Sequence, residues 1–151
     1  LQGVTAMGVK RLYLVNAWRV EKSYWASPLL ERESIQEDLR LGLEQGRDTI
    51  LPEVRLRRLL RPFVEDELGE IARGTLALVG DGGSARPCPS AIAGPITLAI
   101  GPEGGFNPFE IELLQTIGFA PVALGPRALR VEHAVPALLG RLAEFGRVGP
   151  V

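Results

Sequence analysis

Cysteine, histidine and lysine are all scarce in this chain of 151 residues. Cys88 is the only cysteine, so no internal disulfide can form, and a cytoplasmic address is expected on redox grounds. One cysteine and one histidine, His133, cannot close a tetrahedral zinc site, and no metal is expected. Lys10 and Lys22 are the only lysines. Positive charge therefore rests almost wholly on arginine, whose planar fork suits phosphate and carboxylate; a GC-rich genome would leave the same bias. No apolar run reaches the ~18 residues of a spanning helix, and no signal-peptide pattern opens the chain, so no membrane partner is expected. The net charge of −1 provides no global basic field to announce a nucleic acid. Ser-His-Asp chemistry lacks its G-x-S-x-G elbow.

What is present suits one soluble domain with a real core, since 46% of residues are hydrophobic and 23% charged. The chain opens on LQGVTAMGV, without an initial Met, and reads like the tail of a helix; an N-terminal portion left out of the chain is the expectation. Gly8 fits the end of that helix, and KRLYLVN (10–16) a strand after it. A loop with Trp18, Tyr24 and Trp25 leads to the turn residues Ser27 and Pro28. From Leu29 to Gly46 the spacing predicts a helix with Ile35, Leu39 and Leu43 on one face. An extended piece is predicted over 48–54, then one or two helices within LRRLLRPFVEDELGEIARG, closed by Gly74. TLALV (75–79), ITLAI (96–100) and PVALG (121–125) read as strands, the first followed by the turn DGGS. Asn107, Pro108 and Glu110 spell a capping box for a helix that Gly118 ends. A last helix is predicted from Glu132 to about Phe145, with Pro136 awkward inside it. Strands alternating with helices predict an α/β fold with a mainly parallel sheet flanked by helices.

Ligands of parallel sheets gather at the carboxyl ends of strands. Two strand ends here carry a Gly-Pro pair: IGPEGGF from Ile100 and LGPRALRVEH from Leu124. Glycines allow sharp turns and close approach to main-chain amides, and prolines stiffen such loops. Loops of this kind take planar, adenine-like groups, and Glu103 in place of a lysine favours a cationic ligand such as a sulfonium over a phosphate. The plain alternative is a tight strand-to-helix connection with Glu103 solvated. Arg127 and Arg130 can hold a phosphate or a carboxylate. His133 offers a general base, or simply a residue at a helix start.

The run LAIGPEGGFNPFEIELLQTIGFAPVALGPRALRVEHAVPALL resembles the C-terminal signature of the RsmE family, bacterial 16S ribosomal RNA uridine-N3 methyltransferases of the SPOUT superfamily. GPEGGFNPFE and LGPRALRVEHA stand for that family's two characteristic strings at the expected separation; the strong match spans roughly residues 95–142, with weaker likeness at residues 6–9 and in LEQGRD (43–48). The resemblance implies an α/β domain over 1–151 whose C-terminal part threads a trefoil knot, an exception to the rule against knots. It implies S-adenosyl-L-methionine as cofactor, bound by Leu98, Ile100, Gly101, Pro102, Glu103, Gly104 and Gly105 on one side and Leu124, Gly125, Arg127, Leu129 and Arg130 on the other. It implies direct in-line methyl transfer, with Arg130 orienting the nucleotide or stabilising charge on the base, and Glu132 or Glu103 assisting removal of the N3 proton. A homodimer with its active site near the subunit interface follows, acting on 16S ribosomal RNA or the small ribosomal subunit. Val131 and His133 stand where the family has threonines, and the family's N-terminal PUA-like barrel, which grips RNA, is expected to be missing. Other readings are a SPOUT enzyme acting on ribose 2′-O or guanine N1, a non-catalytic cofactor- or RNA-binding module, and a flavodoxin-like binding domain.

Overall fold

In the computed structural model, which describes residues 1–143, the chain falls into two compact units. Residues 1–16 and 20–58 make the first; residues 17–19 join the chain from 59 onward in the second.

The first unit opens with the short helix α1 (Gln2–Ala6), which ends as Gly8 predicts. Gly8 has φ +84°, its N–H reaches the Thr5 carbonyl at 2.9 Å, and the Val9 N–H reaches that of Val4 at 3.2 Å, a Schellman closure. Strand β1 (Arg11–Val15) pairs parallel with β2 (Glu53–Arg57), in register from Arg11 opposite Glu53 to Val15 opposite Arg57. Between them runs α2 (Arg32–Gly46), which starts later than the predicted Leu29. Pro28–Leu30 form a separate 3₁₀ turn instead, with the Ser27 hydroxyl accepting from the Leu29 N–H. Ile35 and Leu39 are buried as expected, but the next buried position is Gly42, with Leu43 only half-buried. A Cβ on Gly42 would lie 2.6 Å from the Gln2 carbonyl oxygen, and one on Gly46 would lie 2.8 Å from that of Ala6, so the two helices approach backbone to backbone. Strand β2 corrects the sequence prediction, which placed extended chain over 48–54 and helix from 56. Pairing with β1 selects 53–57, just past Pro52, which has no N–H to give.

The second unit holds a helical run made of α3 (Leu60–Phe63), a π turn (Val64–Leu68) and α4 (Gly69–Ile71). Pro62 falls in its first turn, where a missing N–H costs nothing, and Gly74 (φ +73°) follows its end. Then come β3 (Leu76–Gly80), β4 (Ile96–Ile100), α5 (Pro108–Thr116), β5 (Ala120–Val122) and α6 (Val131–Leu142). The strand order is β4-β3-β5 and both pairings are parallel, with Gly80 opposite Ile100 on one side and Val122 on the other. Strand pairing is thus parallel throughout the described residues, though shared between two sheets. Strand β5 is shorter than the predicted 121–125; Ala123 makes only an isolated bridge to Pro87.

Leu78, Cys88, Val122, Leu138 and Leu142 form the buried cluster of this unit. Each large aliphatic side chain so buried stabilises the fold by about 1.5–3 kcal/mol. Desolvation pushes the Cys88 thiol up, against the milder pull of nearby Arg141, which keeps it protonated at neutral pH. Helix α6 begins at Val131 and keeps Pro136 inside it. Pro136 and Glu132, whose carbonyl it leaves without a helical partner, are both exposed, so water can serve that carbonyl. The end of the predicted helix, at residues 144–145, lies outside the described residues.

Candidate functional site

Parallel pairing in the order β4-β3-β5 brings both Gly-Pro turns to one edge of one sheet. Ile100, Gly80 and Val122 lie in register across it, so the two turns leave strands roughly 10 Å apart, twice the usual strand spacing. The turn after β3 lies between them. There the Asp81 carboxylate accepts the Gly83 N–H at 3.0 Å, and the Asp81 N–H donates to the Val122 carbonyl at 2.9 Å.

The turn after β4 is folded tightly on itself. The Gly105 N–H donates to the Pro102 carbonyl at 2.7 Å, which sets Glu103 and Gly104 at the corners of a β-turn. Gly105 has φ +66°, and a Cβ on Gly101 would lie 2.7 Å from the Phe106 nitrogen and 2.9 Å from the Gly105 carbonyl carbon. Those two positions require glycine for different reasons, one conformational and one steric. The turn then runs into α5 through the expected capping box: Asn107 Oδ1 accepts the Glu110 N–H at 2.9 Å, and Glu110 Oε2 accepts the Asn107 N–H at 2.8 Å.

Glu110 does more than a capping box asks. It is buried, with 5% of its surface exposed, and its other oxygen, Oε1, accepts the N–H of Trp18 at 2.8 Å. The next residue, Arg19, donates from its guanidinium to the Gly104 carbonyl. A short strap, residues 17–19, is thereby tied to the turn and to the first turn of α5. Sequence reasoning missed both ties. Glu110 carried a signal, since it closes the GPEGGFNPFE string, but the donor at Trp18 is a backbone N–H that no residue type spells.

The turn after β5 is looser. Residues 125–130 are exposed, Gly125 has φ +148°, and a Cβ there would meet nothing within 4 Å. Arg130 is the N-cap of α6, and its Nη1 stands 3.8 Å from Glu132 Oε1, with both side chains more than half exposed. His133 is exposed in the first turn of that helix.

The predicted site residues thus fall into three groups. Leu98, Ile100 and Leu124 are half-buried and pack apolar side chains against the core. Gly101, Pro102, Gly104, Gly105 and Gly125 shape the two turns. Glu103, Arg127, Leu129, Arg130 and Glu132 are exposed, and among the described residues Glu103 and Arg127 make no hydrogen bond or ion pair. A main-chain cradle with an acid on one rim and arginines on the other can take a planar group bearing both polar edges and positive charge. No group of three or more Cys, His, Asp or Glu side chains that could hold a metal occurs among the described residues, and no helix among them is long and apolar enough to cross a membrane.

A family model described as an RNA methyltransferase domain matches residues 1–143. Over 146 residues the chain is 33% identical to the ribosomal RNA small subunit methyltransferase E of Treponema pallidum, covering 91% of this chain and 53% of that protein. The protein of that name from Buchnera aphidicola is 51% identical over 52 residues, 34% of this chain and 21% of its own. Among solved structures, a protein from Legionella pneumophila in complex with the bound cofactor SAM superposes with TM-score 0.68 at 28% identity, covering 91% of this chain and 56% of that one. The ribosomal RNA small subunit methyltransferase E of Neisseria gonorrhoeae bound to S-adenosyl methionine superposes with TM-score 0.72 at 22% identity over the same shares. The chain therefore spans about half the length of the Treponema relative and of the two solved chains (53–56%).

Proposed function

Because the chain belongs to the RNA methyltransferase domain family, we propose that it methylates ribosomal RNA from S-adenosylmethionine, at N3 of a uridine in the 16S molecule. The observation that carries this reading is the pair of Gly-Pro turns on one edge of the β4-β3-β5 sheet. The cradle fits that cofactor: Gly105 and Gly125 leave their backbone uncovered, as a planar adenine needs, and the exposed Glu103 complements a sulfonium. The cofactor would be held by Leu98, Ile100 and the 101–105 turn on one side, and by Leu124, Gly125, Arg127, Leu129 and Arg130 on the other. When bound, it supplies an activated methyl group.

This chain's own residues then have two tasks. Uridine N3 carries a weakly acidic proton that must leave, and Glu132 or Glu103 accepts it. Negative charge developing on the base is met by Arg130, whose Nη1 stands 3.8 Å from Glu132 Oε1. Holding the base in line is the larger contribution. In the same reading both units form one SPOUT domain over 1–151 with a trefoil knot, working in the cytoplasm as a homodimer on 16S ribosomal RNA or the small ribosomal subunit. The likeness of fold to the Neisseria and Legionella proteins supports it.

Calorimetric titration with S-adenosylhomocysteine tests the cofactor assignment. The expected result is saturable binding near one ligand per chain, abolished by Gly105→Val in a chain that still folds. A folded wild-type chain that binds nothing would overturn the assignment. Transfer of labelled methyl to uridine N3 of 16S RNA, rather than to a ribose or a guanine, tests the substrate.

A further inference from the structure

Ala17–Arg19 belongs to the second unit although its chain neighbours belong to the first, and the turn after β4 holds it together with Glu110. Ala17 is buried, the Trp18 N–H is held by the buried Glu110 carboxylate, and the Arg19 guanidinium is held by the Gly104 carbonyl. The Arg19 stem also lies over the turn, since a Cβ on Gly104 would be 2.9 Å from its Cδ. Between these fixed neighbours Trp18 is 84% exposed, the highest value for any large hydrophobic residue among the described residues. A single surface hydrophobe needs no explanation. An indole left in water on a backbone fixed from both sides, next to a candidate cofactor turn, is a different matter.

Resting on the RNA methyltransferase reading above, we propose that Trp18 is a stacking platform for an unpaired nucleobase of the RNA substrate, beside the 101–106 turn. Single-stranded RNA is recognised largely by splaying bases onto aromatic faces. An indole is well suited, with a broad π face, only two side-chain torsions to fix and little ordering cost. The chain's net charge of −1 gives no global basic field to gather RNA, which raises the share left to local contacts such as stacking. Glu110 acts in this scheme as a positioning residue, fixing the backbone of Trp18 relative to the turn.

The test uses a single-stranded uridine dodecamer, titrated without cofactor so that the outcome stands apart from cofactor binding. In a Trp25→Phe chain, Trp18 is the sole tryptophan, and its fluorescence should be quenched saturably. By anisotropy of the labelled dodecamer, Trp18→Ala should weaken binding about tenfold, while Trp18→Phe stays within about threefold. S-adenosylhomocysteine affinity should be equal in all three chains. Equal dodecamer affinity in Trp18→Ala and wild type overturns the platform, as does the absence of any dodecamer binding by a chain that binds S-adenosylhomocysteine. A Trp18→Ala chain that sediments as a monomer where wild type is a dimer overturns it too, placing the indole against a second copy. Trp18-dependent dodecamer binding by a chain that ignores S-adenosylhomocysteine supports the platform and counts against methyl transfer alone.

Discussion

After β4, the Gly-Pro turn is closed by its own 105-to-102 hydrogen bond, anchored to α5 by a capping box, and overlaid by the strap through Arg19. After β5, the Gly-Pro turn runs exposed through residues 125–130, and its one ion pair among the described residues spans 3.8 Å. Both leave the same sheet edge and share a spelling, so the contrast lies in what surrounds them. A turn ordered in advance loses little freedom when a ligand arrives, whereas a loose one must be ordered at that moment. The first turn therefore sets geometry. In the proposed reading the second can carry arginines on long side chains, its order coming with the ligand.

The largest effect that would sharpen this contrast is expected at Arg130. Arg130→Ala should lower single-turnover methyl transfer to ribosomal RNA about 10²-fold, in line with loss of one charge-stabilising donor. Its unfolding free energy should stay within about 0.5 kcal/mol of wild type, as for an exposed side chain. Unchanged transfer would remove the second turn from the chemistry. Next comes a matched pair of alanines, compared by urea unfolding. Gly101→Ala must displace backbone atoms and should cost about 2–3 kcal/mol. Gly125→Ala meets no atom within 4 Å and should cost about 1 kcal/mol, the backbone strain alone. Equal costs would mean that the two turns are equally constrained, and the contrast would fall.

The smallest effect provides a control in the first unit. Asp48 is held below its ordinary value of 3.8, chiefly by the hydrogen bond from Lys10 and then by the Ile50 N–H. A carboxyl depressed in the folded state stabilises the fold above its unfolded value, and that contribution disappears as pH falls through the lower, folded one. Asp48→Asn should therefore melt slightly lower than wild type at neutral pH and converge with it as the solution is taken below about pH 4. Binding of S-adenosylhomocysteine should not change between the two.

Local features were the legible ones. The Gly8 closure, the Asn107–Glu110 box and strands β3 and β4 each depend on a few adjacent residues, and the structure has them where the residues predict. Strand β2 was misplaced because EVRLR carries three charges in five residues and owes its extended form to pairing with β1. The inward position of Gly42 escaped because its reason is the backbone of α1, which no periodicity contains. At the candidate site the glycines and arginines announced themselves by spelling. The strap did not, since its decisive group is a main-chain N–H far away in sequence.

That distance has a kinetic meaning. Glu110 bonds one partner 3 residues away and another 92 residues away. The nearer bond can form with the first turn of α5 and holds the carboxylate in place early. The farther one must wait until the chain between has condensed, because closing so long a loop carries its entropy cost in advance of any contact. The strap is accordingly expected to be among the last pieces of the molecule to lock. The turn beneath it can take its shape before the tryptophan arrives.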